Sequence, residues 1–233
     1  MNRSMSSAAM TDSKMARVPI PRGARRRREI AEAAEQVFLD HGFADTTMKM
    51  VALAAGASKE TLYRHFGSKE DLFLEIVTNR NNEVRQTLDA ELDSDRPIPI
   101  ILRSVGISLL ECICSPAVVA LARIIVNEAP RHPTLGDAFY AMAPGRTLQK
   151  LTRYLMEAKA RGEFVGEAPE VAAEIYTGSV VGKFVPLMLF TPHAFTVDRK
   201  QIEAHVDEVV RTFSNSYVAK GRTRSSGKSR PRC

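Results

Sequence analysis

The sequence predicts an all-α protein, with a small N-terminal unit of three helices followed by a larger helical domain. Apolar residues recur at helical spacing along most of the chain. Neither a sustained apolar-polar alternation nor an Asn-Gly or Asp-Gly hairpin turn is present, so we expect no β-sheet. With 233 residues, 44% hydrophobic and 26% charged, the chain has the composition of an ordinary globular protein.

The net charge of +6 is carried by the two ends of the chain. Residues 1–30 and residues 218–233 each have a net charge of +6, so residues 31–217 have −6. Basic ends suggest an anionic polymer as partner, although the C-terminal tail could equally serve solubility. We expect four regions: a disordered basic arm (1–23), an N-terminal helical domain (24–84), a C-terminal helical domain (85–219) and a disordered basic tail (220–233).

The lack of recognisable targeting signals and the usage of cysteine predict a cytoplasmic protein with no membrane partner. No run of 18 or more apolar residues is present, and the N-terminus lacks the apolar core of a signal peptide. The three cysteines, Cys112, Cys114 and Cys233, are not a disulfide framework and fit a reducing compartment.

The first helix is predicted to start near residues 23–25 and to reach His41, and over residues 28–41 its apolar residues follow an i, i+3, i+4, i+7 pattern. Gly42 should end this helix and allow Phe43 to fold back onto it. Four arginines, Arg25 to Arg28, occupy its first turn, where the positive end of the helix dipole disfavours cations. We therefore expect the arginines to bind a partner, with a solvated helix face as the alternative.

A second and a third helix, joined by a tight turn, are predicted over residues 46–66. Thr46 or Thr47 can cap the second helix, and Ser58 can cap the third. Gly56 suits the turn because it adopts positive φ without steric strain. The second helix should turn four residues inward: Met50, Val51, Leu53 and Ala54.

The remaining helices follow from proline, glycine and apolar periodicity. Ser68 should cap a long helix over residues 69–92 that joins the two domains. Later helices are expected at 98–114, 116–129, 134–161 with a kink or restart at 144–145, 169–190 and 198–219.

Two helices with a small turn and a polar exposed face are typical of a helix-turn-helix, whose second helix enters the DNA major groove. Lysine and arginine can bind guanine O6 and N7, and amide groups at helix starts can bind phosphates. We predict base contacts from Ser58, Lys59, Thr61 and Arg64. We predict phosphate contacts from Arg25, Arg26, Thr46, Thr47, Lys49, Tyr63, His65 and Lys69.

The N-terminal block resembles the TetR family of bacterial transcriptional repressors. The matching motifs are I-x-x-A-A-x-x-x-F-x-x-x-G-F from Ile30, T-T from Thr46, A-x-x-A-G-A-S from Ala52 and T-L-Y-R-H-F-x-S-K-E-D-L from Thr61. The resemblance implies a DNA-binding domain, a C-terminal ligand-binding domain, a homodimer, and release from a palindromic operator when ligand binds. Glu60 stands where the family often has a small residue, which leaves the base contacts open.

The C-terminal domain is similar to the AefR-like branch of the family over residues 123–164, through E-A-x-R-x-P and A-F-Y-x-x-x-P features. Residues 169–190 and 198–217 should form the dimer interface, because small residues allow close helix packing. Packing within one chain is the alternative. Polar residues on otherwise apolar helices are the candidates for binding a small-molecule effector: Arg123, Asn127, Glu128, Tyr140, Tyr154, Tyr176 and Lys183. We expect no cofactor and no metal ion.

Three other functions remain open from the sequence alone. An enzyme is disfavoured because the five histidines are scattered and no catalytic motif is present. A metal or redox sensor could use Cys112, Cys114 and His132, but C-x-C spacing is weak for zinc and small buried apolar residues explain the cysteines better. A helical adaptor would bind no duplex with salt-dependent affinity.

Overall fold

A computed structural model describes residues 22–191, 193 and 195–219, and within them the chain is helical apart from turns and one isolated bridge between Phe164 and Val218. The all-α prediction is confirmed. The predicted arm and tail lie outside the described residues, except that Arg22 and Gly23 already belong to the first helix. The helices are α1 Arg22–Asp45, α2 Met48–Ala54, α3 Lys59–His65, α4 Lys69–Arg80, α5 Asn82–Leu92, α6 Ile98–Ile113, α7 Pro116–Glu128, α8 Pro133–Met142, α9 Pro144–Ala160, α10 Pro169–Val181, α11 Phe184–Phe190 and α12 Arg199–Tyr217.

The N-terminal core lies between α1, α2, α3 and α4. Gly42 has φ +76° and interrupts α1, as predicted, so that Phe43 folds back against Phe38 with ring centroids 5.8 Å apart. The ring of Phe73 from α4 packs edge-on against both. Three residues from later helices complete this core: Leu121, Ile125 and Leu135. Helices α7 and α8 therefore fix the position of the N-terminal unit.

The C-terminal core is built around α6, which packs between α5 and α12. Tyr176 of α10 is buried, and its hydroxyl donates a hydrogen bond of 2.5 Å to the carbonyl of Leu102. Gly106 makes this packing possible, because a Cβ there would lie 2.6 Å from the Tyr176 hydroxyl.

The prediction of one long helix over residues 69–92 is wrong, because the helix is interrupted at Asn81, between α4 and α5. Asn81 has φ −87° and ψ 1°, and its side-chain amide donates to the carbonyl of Val77 at 2.9 Å. Asparagine commonly competes in this way with the helical hydrogen bonds of its own backbone.

The predicted single helix over 169–190 is also interrupted, between Val181 and Phe184. Proline at 186 has no N–H for the carbonyl of Gly182 and its ring would clash there, which explains the break. The interruption predicted at 144–145 is confirmed, since α8 ends at Met142 and α9 begins at Pro144.

Among the described residues, no single helix has both the length and the apolar character needed to cross a membrane. Helices α6 and α7 meet those requirements only when counted together, and they are bent by 71° at their junction.

Candidate nucleic-acid interface and internal cavity

Helices α2 and α3 form the predicted helix-turn-helix, and local hydrogen bonds fix both helix starts. Thr47 caps α2, with its hydroxyl oxygen accepting from the amide of Met50 at 3.3 Å. Gly56 makes the turn with φ +54°. Ser58 caps α3 by accepting from the amide of Thr61 at 3.0 Å. Leu62 and Phe66 anchor α3 in the core, so its opposite side faces solvent.

The solvent-facing side of α2 and α3 carries most of the predicted DNA contacts. Exposed residues are Thr47, Lys49, Ser58, Lys59, Tyr63 and Arg64, and Thr61 and His65 are half-buried. The Lys59 ammonium lies 5.8 Å from the centre of the Tyr63 ring. Glu60 is also exposed in the first turn of α3, where the helix dipole stabilises a carboxylate.

Two residues predicted to contact DNA, Thr46 and Ser58, use their hydroxyl groups within the chain. Thr46 is 1% exposed, and its hydroxyl donates to the carbonyl of Gly42 at 2.6 Å. The Ser58 hydroxyl donates to the Thr61 hydroxyl at 2.9 Å. Thr46 is therefore a packing residue at the end of α1, and its side chain lies away from the exposed face.

The predicted inward face of α2 is wrong at Leu53, which is 84% exposed, and at Ala54, which is also exposed. The buried residues of this helix are Met48, Val51 and Ala52, spaced i, i+3 and i+4. Leu53 lies on the opposite side with Lys49, four residues earlier. This short helix therefore presents one lysine and one leucine beside α3, and sequence reasoning missed the leucine.

Arg26 supports the turn between α2 and α3 instead of projecting freely from the first helix. Its guanidinium donates to the carbonyls of Ala55 and Gly56, both at 2.9 Å. Arg25 remains 77% exposed at the side chain and pairs with Glu29 at 3.0 Å. Hydrogen bonds from Arg26 and Arg25 lower the pKa of Glu29, so this carboxylate stays ionised.

Arg27 plays a similar part at the other end of α3, whereas the sequence predicted only that it binds a partner as one of four neighbouring arginines. It donates to the carbonyl of His65, pairs with Glu75 at 3.0 Å and lies over the Phe66 ring at 4.4 Å. A cation at a helix C-terminus satisfies free carbonyls and the negative end of the dipole. Arg26 and Arg27 thus hold α3 against α1 from both ends.

Lys69 is directed inward in the same way. Its ammonium donates to two carbonyls in the last turn of α1 and one just after it: Phe43 at 2.6 Å, Ala44 at 3.3 Å and Thr46 at 3.0 Å. It also lies 4.4 Å from the centre of the Phe43 ring. The three donors of an ammonium are therefore used within the chain. The phosphate contact predicted for Lys69 can come only from its backbone amide at the start of α4.

The C-terminal domain contains an apolar cavity of about 290 Å³ bounded by residues from α4 through α11. Its walls are mainly aliphatic, among them Val84, Leu88, Leu109, Ile113, Val181 and Met188. Among the described residues, the charged ones lining it are all arginines: Arg80, Arg85 and Arg146. This composition matches small-molecule sites, which combine an apolar wall with a few polar groups.

Two polar atoms of the cavity lining have no hydrogen-bond partner within the described part of the chain. They are Nε of Arg146 and the hydroxyl of Thr177, and both are buried. Arg80, in contrast, forms two hydrogen bonds to Glu35 of α1, at 2.8 and 2.7 Å. This pair raises the pKa of Arg80 and links the cavity wall to the N-terminal unit.

None of the predicted effector-binding residues lines this cavity. Arg123, Asn127 and Glu128 border a groove between α1 and α7 instead. Tyr140 is 58% exposed. The other three are also elsewhere: Tyr154 borders a surface groove, Tyr176 donates to Leu102, and Lys183 lies outside the cavity lining. Periodicity identified these helices as partly buried, but it could not tell which polar side chains face a common space.

The described cysteines do not support a metal or redox site. Burial raises the pKa of Cys114 to about 11, so the thiol is protonated at neutral pH and is a poor metal ligand. The Cys112 thiol lies 3.4 Å from the side-chain oxygen of Asn81. No group of three potential ligands occurs among the described residues. Both cysteines are half-buried, less than predicted, and Cys233 lies outside the described residues.

Comparison with known proteins identifies both parts of the chain. Residues 30–76 match the family model of bacterial regulatory proteins of the TetR family, and residues 101–219 match that of the AefR-like transcriptional repressor, C-terminal domain. The HTH-type transcriptional repressor BepR of Brucella suis is 29% identical over 168 residues, which cover 67% of this chain and 77% of BepR.

Two solved structures share the fold over most of their length. A putative TetR-family regulator from Mesorhizobium loti superposes with a TM-score of 0.74 at 28% identity, covering 86% of this chain and 100% of that one. The flavonoid-responsive regulator FrrA superposes with a TM-score of 0.67 at 29% identity, covering 84% and 98%. These are transcription regulators, so the enzyme and adaptor alternatives are rejected. The chain belongs to the TetR family of bacterial transcriptional regulators, with a C-terminal domain of the AefR-like type.

Proposed function

We propose that this chain is an effector-responsive repressor that binds a palindromic operator as a homodimer. One observation carries the proposal. The chain has a polar helix-turn-helix face and an apolar cavity, and the Arg80–Glu35 pair links the cavity wall to the N-terminal unit. BepR is named a repressor, and the model matched by the C-terminal domain describes a repressor.

In the DNA complex, α3 would lie in the major groove. Lys59 and Arg64 are exposed and long enough to reach guanine edges. Lys49, Thr47, Tyr63 and the backbone amides that start α2 and α4 would contact phosphates, which fix the position of α3 without reading sequence. Arg25 would add a phosphate contact at the start of α1.

The dimer would form through α10 and α12. Val171 and Ile175 of α10 are 47% and 45% exposed, and Gly178 and Gly182 follow on the same helix face. A Cβ at Gly178 would meet nothing within 4 Å, which leaves room for a partner helix. An apolar stripe with small residues favours two-fold helix packing. Two recognition helices would then lie about 34 Å apart, one turn of DNA.

Repression would be relieved by a population shift. An effector in the cavity would contact α4 and α5 on both sides of Asn81 and would change the preferred orientation of α4. The shift requires that the effector binds the conformation with low DNA affinity more tightly than the other.

Selection of bound genomic fragments, followed by titration of the selected duplex, tests the DNA-binding part of the proposal. With six to ten phosphate contacts, affinity should fall by roughly 10³-fold or more between 50 and 200 mM salt. An unchanged affinity over this range would refute operator binding. Light scattering of the free protein and of the complex should give two chains per duplex.

A further inference from the structure

We propose that the effector is a small amphipathic acid, with an apolar body in the aliphatic part of the cavity and a single carboxylate bound by Arg146 and Thr177. This inference rests on the proposed function, because it names the chemical class of ligand for the same cavity. Three features carry it: the sign of the charge around the cavity, the unpaired polar atoms and the cavity volume.

The charge around the cavity favours an anion. Among the described residues, no aspartate or glutamate lines it, whereas three arginines do. Arg80 is neutralised by Glu35, which lies on α1 and is 7% exposed. Arg85 and Arg146 remain as the positive groups without a carboxylate in the cavity wall. Nearby apolar walls strengthen their attraction for an anion, since the local dielectric is low.

The unpaired atoms specify where the carboxylate binds. Arg146 Nε and the Thr177 hydroxyl each have a hydrogen to donate and have no acceptor among the described residues. Buried donors without acceptors destabilise the free protein, and a carboxylate has two oxygens that can accept from both. A neutral alcohol offers a single oxygen, and a quaternary ammonium offers no acceptor and is repelled by the arginines.

The volume limits the apolar body. A space of about 290 Å³ corresponds to about ten water volumes, so a ligand with about ten to fifteen non-hydrogen atoms fits. The surrounding aliphatic side chains can accept either a flexible chain or a flat ring system. Octanoate and 2-naphthoate represent these two shapes, and each has a matched alcohol of nearly the same size.

The test is calorimetric titration of the full-length protein, without DNA, with octanoate, octanol, 2-naphthoate, 2-naphthalenemethanol and octyltrimethylammonium. At least one acid should bind ten-fold or more tightly than its matched alcohol, and the ammonium should not bind. The proposal is overturned if both alcohols bind as tightly as their acids, or if neither acid binds.

Variants then locate the carboxylate. Arg146→Met keeps an apolar stem and should weaken acid binding at least ten-fold while leaving alcohol binding unchanged; Arg146→Lys should recover part of the loss. Arg131→Met removes an exposed arginine outside the cavity and should change neither. Equal losses for acid and alcohol in Arg146→Met would instead assign a packing role and overturn the proposal.

Thr177→Val, which is isosteric, provides a second variant should Arg146→Met fail to fold. This substitution should weaken acid binding several-fold and leave alcohol binding unchanged. Equal effects on acid and alcohol binding would again overturn the proposed carboxylate site. Because these titrations contain no DNA, they are independent of operator binding. If the protein binds the acid but no DNA duplex, the proposed function is refuted and the ligand class is not. If it binds its duplex but no acid, the ligand class is refuted and the proposed function is not.

Discussion

Lys69 provides the sharpest distinction between a residue that binds DNA and one that shapes the DNA-binding unit. The sequence predicts that it contacts phosphate, whereas in the structure its ammonium donates to three carbonyls at the C-terminal end of α1 and just after it. Lys69→Met keeps most of the side-chain length and removes the ammonium. We expect this substitution to destabilise the N-terminal unit without removing a phosphate contact.

The expected loss follows from the contacts. A hydrogen bond to a charged group contributes about 1.5–3 kcal/mol, and a cation over an aromatic ring about 0.5–1 kcal/mol at an exposed site. Ala44 is exposed, so water can replace part of the lost hydrogen bonding. Lys69 itself is half-buried. We therefore expect the free energy of unfolding to fall by about 2–3 kcal/mol, well below the sum of the separate contacts.

Two measurements test this interpretation: urea unfolding, and the slope of log affinity against log salt for the selected duplex. Lys69→Met should lower stability and leave the slope unchanged. Lys49→Met is the matched control, because Lys49 is exposed on α2. It should leave stability within about 0.5 kcal/mol and reduce the slope by about 0.9. A reduced slope together with normal stability in Lys69→Met would refute the structural role.

Three further substitutions test other features of the fold. Glu35→Gln removes the charge opposite Arg80 and should lower the unfolding free energy by about 1–2 kcal/mol, whereas Glu32→Gln, at an exposed position of α1 with only a long-range attraction to Arg80, should cost about 0.5 kcal/mol or less in the same urea titration. Gly42→Ala should cost about 1–3 kcal/mol, since φ +76° and ψ 179° lie in a region that glycine alone normally occupies; an unchanged urea midpoint would show that the backbone at residue 42 relaxes to another conformation. Ile175→Asp should prevent the proposed dimer from forming at micromolar concentration, as judged by light scattering, and a dimer that persists in the variant would exclude Ile175 of α10 from the interface.

Features encoded by neighbouring residues could be predicted from the sequence. Thr47, Ser58 and Ser68 cap their helices as expected, because a capping hydroxyl binds an amide only two or three residues away. Gly42 and Gly56 adopt positive φ as expected, since glycine avoids the steric strain of a Cβ. The helix-turn-helix was predictable for the same reason: each of its parts is local.

Features that depend on distant residues could not be predicted in this way. Arg26 binds carbonyls 29 and 30 residues later, and Lys69 binds one 26 residues earlier. In the sequence both resemble DNA-binding cations, since nothing local distinguishes a cation that faces phosphate from one that faces a free carbonyl. The residues that line the cavity were not predicted for a related reason, because the cavity is assembled from eight helices and periodicity does not specify which faces converge.

The break at Asn81 changes how the two domains can communicate. A continuous helix over 69–92 would transmit a movement of its C-terminal half rigidly, as a lever. Two helices meeting at Asn81 can instead change their mutual angle, and Asn81 itself lines the cavity together with Arg80. An effector that fills the cavity would therefore act where α4 and α5 meet, and there Arg80 also binds α1 through Glu35.

The coupling between effector binding and DNA affinity should then depend on the Arg80–Glu35 pair more than on the stiffness of α5. Glu35→Gln should accordingly reduce the ratio of DNA affinities measured without effector and at saturating effector, and an equal ratio in the variant and the parent protein would refute this route.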